Sequence, residues 1–120
     1  MLEQIKTMHK KFGVDFESQP DFTEEERRFR IAAMLEEIGE YVSANTKEEE
    51  LDALVDLTVF TLGTAERMGF GEVFLTAFKR VMHSNMSKEV GPNNKRGGFR
   101  LDLRKGLNWE AAELNDLVNE

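Results

Sequence analysis

Two threonines, each followed three residues later by a glutamate, bracket the middle of the chain: Thr23 with Glu26, and Thr46 with Glu49. In such a capping box the hydroxyl accepts from the amide three residues on and the carboxylate reaches back to the threonine amide, so each pair marks a helix start. One helix is expected from Thr23 to about Ala44, and a second from about Lys47 to Arg67, stopped by Gly69 and Gly71. Two helices of that length with a short polar link between them fold back as an antiparallel hairpin.

The flanking segments read as helices too. Leu2, Ile5, Met8 and Phe12 recur at three- and four-residue steps, predicting a helix over 2–12 that ends near Gly13. Residues 15–22, with Pro20 inside, form a connector. A helix over about 72–86 places Phe74, Ala77, Phe78 and Val81 on one stripe. Gly91-Pro92 and Gly97-Gly98 then interrupt regular structure, and Asn108 is placed to cap a short last helix over 108–118. No stretch alternates as a strand would, so the fold class is all-α: a helical bundle around the central hairpin. A chain of 120 residues suits one domain, with a helical core over 2–87, a basic glycine-rich loop over 88–106 and the terminal helix.

The acids of the hairpin are less ordinary than its ends. Glu36 and Glu40 are one turn apart and Glu37 is three from Glu40, so all three share one side of the first helix. Asp52 and Asp56 repeat the four-residue spacing on the second helix. Asp56 lies within Leu54-Val55-Asp56-Leu57-Thr58-Val59-Phe60, where a carboxylate without a partner is costly to bury. Like charges at that spacing repel, so five of them on adjacent helices call for something positive. Hard cations such as Mg²⁺, or Mn²⁺, prefer oxygen ligands and are held between facing helices of bundles in this way. The alternative is that the acids form the wetted side of amphipathic helices, as Glu24, Glu25, Glu48 and Glu50 do at helix starts, where negative charge suits the helix dipole.

Charge is unevenly distributed. The chain carries −7 overall, yet residues 88–106 hold six basic side chains against Glu89 and Asp102. An acidic body argues against a nucleic-acid-coating protein, while a basic tail beside it suits an anionic ligand that arrives with divalent cations, or is simply a solvated loop. The absence of cysteine excludes disulfides, zinc thiolate sites and thiol nucleophiles. No apolar run is long enough to span a membrane, and residues 1–13 lack the apolar core of a signal peptide, so the cytoplasm is the expected location.

With Glu36, Glu37 and Glu40 in an EExxE arrangement, then Asp52-Ala53-Leu54-Val55-Asp56 and Thr61-Leu62-Gly63-Thr64-Ala65, the chain resembles the MazG-like all-α nucleotide pyrophosphatases, above all their short phage-type members. Residues 8–13, the run His83-Ser84-Asn85-Met86-Ser87-Lys88 and Lys105-Gly106 extend the likeness over nearly the whole chain. The resemblance implies Mg²⁺-dependent hydrolysis of a (deoxy)nucleoside triphosphate between its α and β phosphates, with a purine deoxynucleotide such as dGTP as the expected substrate. It implies metal ligation by Glu37, Glu40 and Asp56, with Glu36 ligating a metal or activating the attacking water. One position departs: where the second motif would carry glutamate as ExxD, three before Asp56, this chain has Ala53. Asp52 is the expected substitute, with Glu49 as the other register.

Asn85, Lys88, Arg96 and Lys105 are the expected substrate-binding residues, an amide for base, sugar or phosphate and cations for the polyphosphate. His83 as acid or base, and Phe99 or Trp109 as base-stacking rings, are less expected than plain packing or surface roles. The hairpin and the helix after it offer more apolar surface than one small domain covers, which predicts a homodimer or homotetramer, as the resemblance also implies. Two other readings stay open: a nonenzymatic helical interaction module, and the same fold acting on another phosphorylated compound such as a phosphoribosyl nucleotide.

Overall fold

In the computed structural model, which describes residues 1–118, the helical segments are α1 (Leu2–Lys11), α2 (Glu24–Ser43), α3 (Lys47–Arg67), α4 (Phe74–Met86) and a final turn, α5 (Asn115–Val118). The chain divides into two compact units, one spanning Met1–Glu72 and one from Val73 onward. Among the described residues no helix is long and apolar enough to cross a membrane.

In the first unit the helix ends follow the local chemistry. Thr23 and Thr46 accept from the amides of Glu26 and Glu49, both at 3.1 Å. The reciprocal halves of the boxes differ from expectation. The Glu49 carboxylate takes the Asn45 amide at 3.0 Å. Glu26 turns its carboxylate away from the cap, toward Arg67 and Arg30. α3 ends on Gly69, whose φ of +84° a side chain would strain, with the Gly69 amide on the Glu66 carbonyl and the Phe70 amide on the Ala65 carbonyl.

α2 and α3 form the expected antiparallel hairpin, and α1 packs on α3, with Ile5 of α1 and Leu62 of α3 both buried. Positions spaced four and three apart share one side of each helix and line the seam between them. The α2 side runs Glu26, Arg30, Ala33, Glu37, Glu40; the α3 side runs Ala53, Asp56, Phe60, Gly63, Arg67. Phe29 and Phe60 meet edge to face at 6.3 Å. At Gly63 the Arg30 guanidinium and the His9 ring come so close that a Cβ would lie 2.8 Å from Arg30 Nη1 and 3.3 Å from the His9 ring, so a larger residue would make them shift.

The half of the seam nearer Arg67 is closed by ion pairs. Arg67, 2% exposed, sets Nε at 2.7 Å and Nη2 at 2.6 Å from the two Glu26 oxygens and donates through Nη1 to the Gln19 carbonyl. Beside it, His9 Nδ1 lies 2.6 Å from Glu66 Oε1, both residues buried.

In the second unit the structure corrects two expectations. Residues 88–106 are not a simple loop: β1 (Glu89–Val90) pairs antiparallel with β2 (Leu103–Arg104), around a 3₁₀ turn at Asn94–Arg96 and positive-φ glycines at Gly97 and Gly98. Two-residue strands are too short to leave an alternating pattern. Among the described residues the last helix is the turn Asn115–Val118, and Trp109 instead closes a turn on the Gly106 carbonyl. Asn108 therefore caps nothing.

Removing the Arg67 guanidinium leaves Glu26 with the longer 3.4 Å contact to Arg30 and takes the donor from the Gln19 carbonyl. Arg67→Ala should lower the unfolding free energy by about 3 kcal/mol, the low end for a broken buried pair because Glu26 keeps some water. Thr46→Ala should lower it by about 1 kcal/mol. Urea denaturation of both variants checks the order, and a loss at Arg67 no larger than at Thr46 would contradict a buried pair.

Candidate metal centre

The other half of the seam is acidic. Glu36, Glu37 and Glu40 each bring a carboxylate oxygen to within 4.8 Å of the others, from successive turns of α2. Glu36 and Glu40 are exposed, while Glu37 lies in the seam at 8% exposure. Its Oε2 is buried without a hydrogen-bond partner. Burial first, then the Glu40 carboxylate, then Asp56 and Glu36, push the Glu37 carboxyl up to about 7. Asp56 is thus close enough across the hairpin to act on Glu37, and it is half-buried as the apolar run around it requires.

Asp52 is not in this group. It is exposed, and neither the oxygen cluster nor the charges acting on Glu37 include it. The seam instead passes through Ala53, which is 2% exposed where α3 lies against α2. Helix geometry gives the reason: Asp56 shares its face with the residues three and four before it, and here the nearer of them to the partner helix is the alanine. Glu49 remains occupied at the α3 cap.

The donor set suits a hard divalent cation: all oxygen, convergent, with one buried acceptor lacking any donor. An orphaned carboxylate oxygen is costly when buried, and either a proton or a cation relieves it.

The expected substrate-binding residues all lie in the second unit. Asn85 and Lys88 are half-buried at the end of α4, with the Lys88 amide on the Asn85 carbonyl at 3.1 Å. Arg96 is engaged inside the strand pair, with Nε and Nη2 on the two Asp102 oxygens at 3.0 and 2.9 Å. Lys105 sits over the Trp109 ring, 4.3 Å from its centre. His83 reaches Glu110 at 3.3 Å, both exposed, in keeping with a surface role. Phe99 is exposed.

The residues that sequence reasoning missed are the buried polar and charged side chains of the first unit: His9, Arg30, Glu66 and Arg67. A signal existed in the seam spacing itself, since Arg30 lies seven residues before Glu37 and Arg67 eleven after Asp56, both on the interior face.

Because Glu37 is raised from 4.5 to about 7, the fold favours its protonated form. That contribution to stability is complete below the ordinary carboxylate range and is lost as pH rises through about 7. Glu37→Gln, which mimics the protonated form, should raise the melting temperature of the metal-free protein at about pH 8. The gain should narrow below about pH 7 and close near pH 4.5. Mg²⁺ or Mn²⁺ at pH 8 should reverse the order by stabilising only the wild type. Thermal melts across pH, with and without metal, check both signs.

Residues 5–89 match the protein family described as Phosphoribosyl-ATP pyrophosphohydrolase. The matched span takes in the carboxylate group, Asp56, Asn85 and Lys88 and covers well over half of the chain. No curated protein and no solved structure matches the chain. The matched family lies within the MazG-like all-α superfamily that the motifs resemble. With the helical hairpin and its converging acids in place, the chain belongs to the phosphoribosyl-ATP pyrophosphohydrolase family, whose members are pyrophosphohydrolases acting on nucleotide phosphates.

Proposed function

We propose that this protein hydrolyses a nucleoside triphosphate group between its α and β phosphates, using Mg²⁺ or Mn²⁺ held by Glu36, Glu37, Glu40 and Asp56. The observation that carries the reading is the buried, partnerless Oε2 of Glu37 among converging carboxylates. A purely solvated acidic face would not bury one of its members, so the interaction-module reading is the weaker one.

In this reading water adds across the phosphoanhydride, leaving the monophosphate and releasing pyrophosphate. A divalent cation, where bound by these carboxylates, would offset phosphate charge and make a water easier to deprotonate. Glu37, Glu40 and Asp56 would hold the cation, and Glu36, exposed beside Glu37 and Glu40, would take the proton from the attacking water. No covalent nucleophile is required. Asp52, exposed and outside the oxygen cluster, is left out of the proposed ligand set. Lys88, Asn85 and Lys105 are the proposed partners of phosphate and sugar, whereas Arg96 serves the strand pair through Asp102.

For the substrate we favour a purine deoxynucleoside triphosphate, on the resemblance to short phage-type members. The matched family's own description favours the second reading, a triphosphate whose purine carries a phosphoribosyl group. Exposed Leu35, Ile38, Val42, Leu51 and Leu54 on α2 and α3 support a homo-oligomer.

Incubation with each dNTP and NTP and with phosphoribosyl-ATP, read by pyrophosphate release, tests the reading. Turnover should require Mg²⁺ or Mn²⁺, yield pyrophosphate rather than orthophosphate, and fall in Glu40→Gln to the level seen with EDTA. Orthophosphate as product, or full activity in Glu40→Gln, would refute it.

A further inference from the structure

Two adjacent residues at the end of α3 staple the segment that follows α1. Glu66 Oε2 accepts the Phe16 amide at 3.0 Å while its Oε1 meets His9, and Arg67 holds the Gln19 carbonyl. Asp15 tightens the same segment by accepting the Ser18 amide at 3.2 Å, and Val14 closes on the His9 carbonyl at 2.9 Å. Buried charged groups are a poor route to stability, since apolar residues of similar volume serve as well or better. What they supply here is a fixed backbone, and on it Phe12, Val14 and Phe16 stay exposed rather than turning inward.

Phe16 shows what the fixed backbone presents. Its ring lies against the Cα of Gly69, near enough that a Cβ there would be 3.1 Å from the ring, and the residue keeps 40% of its surface exposed. It walls a cleft of about 550 Å³, in the size range of small-molecule sites, together with Lys10, Asp15, Glu17, Glu66 and Gly69. Lys6, paired with Glu72 at 2.8 Å, forms part of the wall. Across the whole lining carboxylates outnumber ammonium groups five to two, so the cleft repels a polyphosphate and accepts groups that donate N–H. It is also distinct from the carboxylate centre: Glu66 is ten residues beyond Asp56, about 15 Å along α3.

We propose that this cleft binds a nucleobase, which stacks on Phe16 and offers its ring or exocyclic N–H groups to the carboxylates while Lys10 donates to a ring or carbonyl acceptor. An aromatic platform with both acceptors and a donor beside it suits a heterocycle edge and does not suit an aliphatic ligand, which needs no plane, or an anion. The base is either that of the substrate or that of a second nucleotide, and the chemistry is the same for both. The substrate case rests on the proposed pyrophosphohydrolase reading; the binding itself does not.

The test uses nucleosides without phosphate, in EDTA, so the metal centre takes no part. Amide NMR of the full chain, titrated with adenosine, guanosine, cytidine and thymidine at millimolar concentration, should show saturable shifts at Phe16, Gly69 and Gly71 with at least one of them. Phe16→Leu keeps the stapled backbone and should weaken that binding about tenfold. Glu37→Gln should leave it unchanged. No saturable shift with any nucleoside, shifts confined to other residues, or equal binding by Phe16→Leu would each overturn the proposal. The source of the base follows from turnover: a changed ratio of kcat/KM between bases in Phe16→Leu assigns the cleft to the substrate, and an unchanged ratio with nucleoside binding intact in the wild type assigns it to a second nucleotide. Absence of turnover on every triphosphate would defeat the pyrophosphohydrolase reading while leaving the nucleoside titration to be judged by itself.

Discussion

The seam between α2 and α3 is lined by charge, and the first unit is organised around how that charge is met. Spacing of four and three along both helices brings Glu26, Arg30, Glu37 and Glu40 of one against Asp56 and Arg67 of the other. In the half that contains Arg67, Glu26 is matched twice over, by Arg67 and Arg30. In the half that contains Glu37, acid faces acid. A seam of leucine would hold two helices together at least as well, because burying ions costs several kcal/mol each before their attraction is counted. The ion pairs set helix register at one end, and that register is what aligns Glu37 with Asp56 at the other.

This division explains why some features were legible in the sequence and others were not. Helix ends depend on a few neighbouring residues, so the threonine caps and Gly69 located α2 and α3 to within a residue of where they lie. The acidic group was legible because one turn of α2 carries three carboxylates whose shared side follows from helix geometry alone. Glu26 was not: its local role as a cap partner and its long-range role as partner of Arg67 are both available to the same side chain, and the fold chose the second. Sequence distance hides that choice, since 41 residues separate the pair.

The second unit was less legible for a different reason. Its strand pair is two residues long and closed by Arg96 on Asp102 and Arg104 on Glu89, ion pairs whose members look like free charges when read in order. A run of basic residues suggested a solvated or phosphate-seeking loop. Part of that charge is instead consumed in holding the loop's own shape, leaving Lys88, Lys95, Arg100 and Lys105 as the candidates for an external anion. Lys105 in turn spends its charge partly on the Trp109 ring.

Ala53 shows how the two helices share the work. At its position a longer acidic side chain would lie in the seam opposite α2, but the residue is 2% exposed and small enough to let the helices approach. Asp52, one residue back, is turned about 100° away around the helix and faces water. The converging oxygens thus come from three carboxylates of α2, with the Asp56 charge of α3 acting on Glu37 from across the hairpin. On the proposed reading, Glu36, Glu37, Glu40 and Asp56 would hold a hard cation, which would offset the charge of the substrate's phosphates. The acids then need not repel the polyphosphate, because the cation and the triphosphate neutralise one another as they bind. The alanine that breaks the motif is in that sense consistent with the rest of the seam, where close approach at Gly63 and at Ala53 brackets the half-buried Asp56.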